Sequence, residues 1–133
     1  MYGSSLFLID FYGQVIVSGR NTNAELGFMP KKTITDFTNQ LDLENIVHIA
    51  TGKNFSVALD KFGKVFVCGL NDKYQLGLNH TDNQEEFLEH PILKEIIDVQ
   101  CTDTGCIALD SNGSMWQWGN IFGEEHTAPE QLT

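Results

Sequence analysis

The chain has 133 residues, the length of one ordinary domain. Its 18 acidic residues against 8 basic ones give a formal net charge of −10, which disfavours contact with nucleic acid or an anionic membrane and makes a basic protein surface the better electrostatic match. No run approaches the ~18 consecutive apolar residues of a membrane span and the N-terminus lacks the basic start of a signal peptide, so the expected location is the cytoplasm, with the nucleus as the alternative.

In chain order, the first feature is the frame Asp10-Phe11-Tyr12-Gly13. Aspartate at the first position of a turn can accept backbone amides beyond it, and glycine at the fourth tolerates positive φ, so this reads as a hairpin turn. A polar connecting segment over 20–45 follows. Ile46-Val47-His48-Ile49-Ala50 then supplies an apolar strand. Phe55, Val57 and Leu59 alternate with Ser56, Ala58 and Asp60 in the period of a strand, and Lys64-Val65-Phe66-Val67-Cys68 makes the next one. Between them Asp60-Lys61-Phe62-Gly63 repeats the turn.

A second polar segment, 70–91, contains Asn83-Gln84-Glu85-Glu86-Phe87-Leu88-Glu89-His90. It is compatible with one or two helical turns capped by Asn83, favoured by Glu85 and Glu86 at the positive end and stopped by Pro91, or with a solvated loop. A short fourth strand is expected near Ile92-Leu93. Ile96-Ile97-Asp98-Val99-Gln100 and the turn Asp110-Ser111-Asn112-Gly113 complete the pattern.

These elements recur at an offset of fifty residues. Asp10, Asp60 and Asp110 are in register, as are Gly13, Gly63 and Gly113, and Gly19, Gly69 and Gly119. Asn21 matches Asn71, and Leu26-Gly27 matches Leu76-Gly77. Such a period signals stacked or radially arranged units, each too small to bury its own apolar face. Positive φ is predicted at Gly13, Gly63 and Gly113.

No catalytic constellation is legible. His48, His80, His90 and His126 have no spacing that groups them, and Cys68, Cys101 and Cys106 lack the paired spacing of a zinc site. Equivalent positions elsewhere in the chain hold Ser18 and Trp118 for Cys68, Leu6 and Ser56 for Cys106, and Thr51 for Cys101, so no unit requires cysteine. Gly52-Lys53 lacks the rest of a phosphate loop. Phe66, Trp116 and Trp118 have no clustered basic residues beside them and read as core. No enzyme activity, cofactor or metal is expected.

The second unit, with Gly52 closing its first strand, Ser56 to Asp60, Gly63, Val65-Phe66-Val67-Cys68-Gly69, Asn71 and Gln75-Leu76-Gly77, resembles the regulator of chromosome condensation repeat family. The resemblance implies an all-β fold, a partial β-propeller of two to three blades of antiparallel strands belonging to a seven-bladed ring. It divides residues 1–133 into a partial repeat 1–45, a repeat 46–95, and a repeat 96–133 that degenerates where Ile121-Phe122-Gly123 replaces the Leu-Gly pair.

Three functional classes follow. The first is a non-catalytic protein-interaction module centred on Asn79 to Glu89, where Asp82, Glu85, Glu86 and Glu89 accompany Phe87 and Leu88; these two apolar residues either anchor a partner or pack on the blade. The second, implied by the resemblance, is guanine-nucleotide exchange on a small GTPase. The third, inhibition of an extracellular enzyme, is disfavoured by the missing signal-peptide start. Open blade faces must be covered by further blades, another subunit or a second copy. Sedimentation equilibrium of the isolated chain is accordingly expected to show self-association or marginal folding, and a dilution-resistant monomer with a sharp melt would contradict that.

Overall fold

A computed structural model describes residues 5–132, and every regular element among them is a strand. The first sheet has the order β1 (Leu6–Ile9), β2 (Val15–Gly19), β3 (Ile34–Gln40). The second has β4 (Ile46–Thr51), β5 (Phe55–Asp60), β6 (Val65–Gly69), β7 (Gln84–Glu89), and the third has β8 (Ile96–Cys101), β9 (Gly105–Asp110), β10 (Met115–Ile121), β11 (Glu124–Leu132). All neighbours run antiparallel. These are three consecutive blades of a propeller.

The Asp–Gly turns form as expected. Asp60 Oδ1 accepts the amides of Phe62 and Lys64, both at 2.9 Å, while Gly63 N donates to the Asp60 carbonyl at 3.2 Å. Asp10 and Asp110 make the same pair of side-chain bonds. Asp110 further accepts the indole Nε1 of Trp116 at 3.1 Å, and that donor, with the Ser114 amide, holds its carboxyl below the ordinary range. Gly13, Gly63 and Gly113 have φ of 79°, 85° and 85°.

The core lies between blades. Val15, Val17, Leu26, Leu43, Ile46 and Ala58 fill the space between the first and second. A larger cluster including Phe55, Val57, Leu59, Leu76, Val99 and Trp118 joins the second to the third. All six residues of β5 are buried because the middle blade has a neighbour on each face. A single unit would leave both clusters half open.

Three expectations need correction. Residues 34–40 and 84–89, within the segments expected to connect units, are strands that pair with β2 and β6. Within Asn83 to His90, Gln84–Glu89 is therefore neither helical nor a loop: as a strand it satisfies the outer backbone edge of β6 and turns Phe87 inward, which a helix cannot do at once. The fourth strand of the unit is β7, whereas Ile92-Leu93 sits in a bend leading into the next blade.

Gly63 and Gly113 share their φ but not their surroundings. A Cβ on Gly63 would lie 2.7 Å from Glu95 Cα in the next blade, whereas a Cβ on Gly113 meets nothing within 4 Å. Gly113→Ala is expected to cost about 1 kcal/mol from left-handed strain, and Gly63→Ala about 2–4 kcal/mol because the blade contact must also open. Paired urea melts check the difference, and equal losses would show that blade contact contributes nothing.

Candidate protein-binding surface

Two long connections hold the blades' outer parts. Asn71 is fully buried: its Oδ1 accepts Leu76 N at 3.0 Å, and its Nδ2 donates to the carbonyls of His80 and Asp82 at 2.8 and 2.9 Å. Asn21 plays the same part for Leu26 and Phe28. Each loop thereby drives a leucine into the next blade interface, Leu26 into one cluster and Leu76 into the other. The loop backbone also bonds across, with Ser56 Oγ donating to the Glu25 carbonyl at 2.6 Å and Asn79 N to the Thr127 carbonyl at 2.8 Å.

β7 rests on this scaffold. A Cβ on Gly27 would meet the Phe87 ring at 2.6 Å, and Phe87 packs against the cluster between the first two blades. Phe87 is half-buried, with one side of its ring against this cluster. Leu88, one residue on, is exposed, as are Glu86 and Glu89. Glu85 reaches Lys31 Nζ at 3.4 Å, a solvent-exposed pair of little energetic weight. Asp82 is exposed beside His80, whose Nδ1 accepts the Asp82 amide at 3.1 Å. The structure thus brings Glu85, Glu86, Leu88 and Glu89 together as exposed residues of one outer strand, leaves Phe87 half-buried, and keeps Asp82 in the loop before it.

A second surface lies at the end of the wedge that carries the Asp–Gly turns. Phe11 is 96% exposed and stacks edge-on with the exposed Tyr12, ring centroids 5.6 Å apart. In the next turn Phe62 is exposed with Lys61 Nζ 5.2 Å from its ring. Val47 and Ile97, at the start of β4 and β8, add exposed apolar area. A groove of about 520 Å³ runs between Phe11, Tyr12, Val47 and Lys61. The signal was present in the sequence, since the two central turn positions project to solvent whatever occupies them.

Elsewhere the polar chemistry is structural. Burial, then the charge of Glu25, pushes the Cys68 thiol well above its ordinary range, and burial with the adjacent Cys101 does the same for Cys106. The Cys101 and Cys106 sulfurs lie 2.6 Å apart on paired strands. His48 Nε2 donates to the Val99 carbonyl at 3.1 Å, tying β4 to β8. Among the described residues no group of three or more His, Cys, Asp or Glu side chains is placed to hold a metal ion.

Comparison with known proteins matches these features. The regulator of chromosome condensation (RCC1) repeat matches residues 63–109, and a second form of the same repeat matches residues 46–75. No match is found among curated protein sequences. Human WBSCR16 superposes on the whole chain with a TM-score of 0.86 at 17% identity. Yeast RCC1 (Prp20), solved with Kap60, gives 0.85 at 16%, and Prp20p from Saccharomyces cerevisiae, studied for its binding to Gsp1p and histones, gives 0.84 at 16%. The chain spans 36%, 36% and 37% of their lengths, a partial propeller of the same fold.

His90 and Gln40 fill one structural role fifty residues apart. Gln40 Nε2 donates to the Leu26 and Gly27 carbonyls while its Oε1 accepts Asp42 N. His90 Nε2 donates to the Gly77 carbonyl at 3.0 Å while its Nδ1 accepts Ile92 N at 3.2 Å. That arrangement is a neutral imidazole, and burial holds the group below its ordinary value of 6.5 against the opposing carbonyl bonds of Gly77 and Leu76. The unfolded chain therefore takes up the proton first, so this site's stability is full above pH 6.5 and is lost as pH falls from there through the folded value. His90→Gln is expected to fold and to remove that loss, read as a stability gap between variant and wild type that closes or reverses in the variant's favour between neutral and acid pH.

Proposed function

We propose that this chain, which carries repeats of the regulator of chromosome condensation family, is a non-catalytic protein-binding module. The observation that carries the reading is the concentration of exposed apolar side chains at the turn-bearing end, with Phe11, Tyr12 and Phe62 on backbone locked by aspartate and glycine. Aromatic side chains on a rigid support supply large contact area at low entropic cost, the property of interface anchors. The outer strand β7 offers a second contact through Glu86, Leu88 and Glu89, where acidic charge would steer a basic partner toward an apolar centre. Prp20p, of the same fold, was studied for binding to Gsp1p and histones, which favours a GTPase or a basic protein surface as the partner class here too.

Guanine-nucleotide exchange is the alternative, and it rests on the family alone. It requires stabilising a nucleotide-free GTPase through a large rigid face.

The test compares wild type with a tip variant (Phe11→Ser, Tyr12→Ser, Phe62→Ser) and a strand variant (Glu86→Gln, Leu88→Ser). Partner capture is quantified beside release of labelled nucleotide from a panel of small GTPases. The tip variant is expected to weaken partner binding at least about tenfold and the strand variant about two- to fivefold, with all melts preserved because these side chains are exposed. Accelerated nucleotide release by wild type would overturn the non-catalytic reading, and undiminished capture by both variants would overturn the surface assignment.

A further inference from the structure

Cys101 and Cys106 stand directly opposite each other on β8 and β9. Their side chains therefore leave the sheet on one face, the face that the second blade covers: Cys106 is buried in the cluster between the two blades, and Cys101 packs against that cluster while staying partly open to solvent. The kind of pair matters. Thr102 N donates to the Gly105 carbonyl at 2.8 Å, so the bonded pair lies one step beyond the cysteines, and alternation makes the cysteines a non-bonded pair. At such a pair the Cα atoms stand about 4.5 Å apart, within the span from about 4.4 Å upward that a disulfide bridges. The two sulfurs already lie 2.6 Å apart.

The second blade shows that its neighbour does not need thiols here. Its equivalent positions are Thr51 and Ser56, opposed in the same way, with Ser56 Oγ donating to the Glu25 carbonyl at 2.6 Å. Two hydroxyls suffice there. In the third blade both residues are cysteine, and Cys106 Sγ turns to Cys101 Sγ. Cys68 has no such partner, being buried on β6 opposite Ser56 with its Sγ donating to the Glu25 carbonyl at 3.5 Å.

The bend between the two cysteines is also a joint. Lys53 N donates to the Asp103 carbonyl at 2.9 Å, which ties the bend to the second blade. Thr104 holds it to β10, accepting Asn120 N at 2.9 Å and donating its Oγ1 to the Asn120 carbonyl at 2.7 Å.

We propose that Cys101 and Cys106 are a redox-active dithiol, oxidised by a low-molecular-weight disulfide to a cross-strand disulfide that fastens the 102–105 bend against the second blade. Cys101 is the thiol that a small molecule can reach. Its thiolate attacks one sulfur of the small disulfide, whose S–S bond breaks, and the other half leaves as a thiolate that takes up the proton Cys101 released. Cys106 then loses its proton and attacks Cys101 Sγ, breaking the mixed disulfide and expelling the second half as a thiol. Two protein thiols are oxidised, and one small disulfide is reduced to two thiols. Burial and the adjacent Cys101 keep the Cys106 thiol protonated, which fits it to act second. This site is separate from the turn-bearing tips and from β7, and both blades that enclose it are present.

The test places the intact chain in glutathione buffers of graded disulfide-to-thiol ratio, followed by acid quenching, unfolding, alkylation and peptide mass mapping. Alkylation of Cys101 and Cys106 is expected to disappear together, at one midpoint and reversibly, while Cys68 stays alkylated throughout. Two variants borrow the second blade's residues. Cys106→Ser is expected to collect a glutathione adduct on Cys101 at least about tenfold above any adduct on Cys106 in Cys101→Thr. Amide hydrogen exchange at Lys53 and Thr102 is expected to slow about threefold or more on oxidation of wild type and to stay unchanged in both variants. Should a variant fail to fold, mapping and exchange of wild type decide alone. No disulfide at any ratio, equal adducts on the two cysteines, or exchange unmoved by oxidation would overturn the proposal. A disulfide that persists at the most reducing ratio would be a fixed crosslink and would overturn it as well.

Discussion

The contact on which the assembly depends is a backbone hydrogen bond from the first strand of one blade to the turn glycine of the blade before. Ile46 N donates to the Gly13 carbonyl at 3.0 Å and Ile96 N to the Gly63 carbonyl at 3.1 Å. Two conditions must hold together: the glycine must sit at positive φ so that its carbonyl faces the neighbour, and it must lack a Cβ so that the backbones can approach. The aspartate three residues earlier meets the first condition by holding the turn with its own carboxylate. Asn45 and Glu95, at φ of 56° and 55°, complete the joint in a conformation that side-chain-bearing residues seldom adopt.

Once blades are locked at their turns, the rest follows from repetition with small substitutions. The buried asparagine loops deliver a leucine into each interface, and the polar peg behind them is glutamine in one blade and histidine in the next, meeting the equivalent carbonyls of Gly27 and Gly77. At position 118 the third blade places a tryptophan where the others have Ser18 and Cys68. It fills the space that Gly77 leaves open, but its indole Nε1 finds no described partner, which costs about 1–3 kcal/mol against the area it buries. Interface geometry is therefore conserved within the molecule while chemistry varies.

A residue-level reading of the sequence went far where local rules decide. The Asp–Gly turns, their positive φ and the β4–β6 and β8–β9 strands are all questions about neighbours a few positions apart. It went astray at β3 and β7, because Ile34–Gln40 is polar, Gln84–Glu89 is acidic, and neither alternates cleanly. Nothing local makes such a segment a strand; the unpaired edge of β2 or β6 does.

The fifty-residue register by itself determined that the chain is built of repeated units, each with an apolar face for its neighbour to cover, since aspartate, glycine and apolar positions repeat together; the propeller arrangement came from the resemblance carried by the second unit. Only the tertiary structure decided which side chains are free. Phe87 and Leu88 are adjacent and similar in hydrophobicity, yet one packs behind Gly27 and the other faces solvent. Phe11 and Phe66 are both aromatic, but one caps a turn and the other lines a blade interface. Exposure depends on what the neighbouring blade places opposite each residue, and that partner lies tens of positions away in the chain.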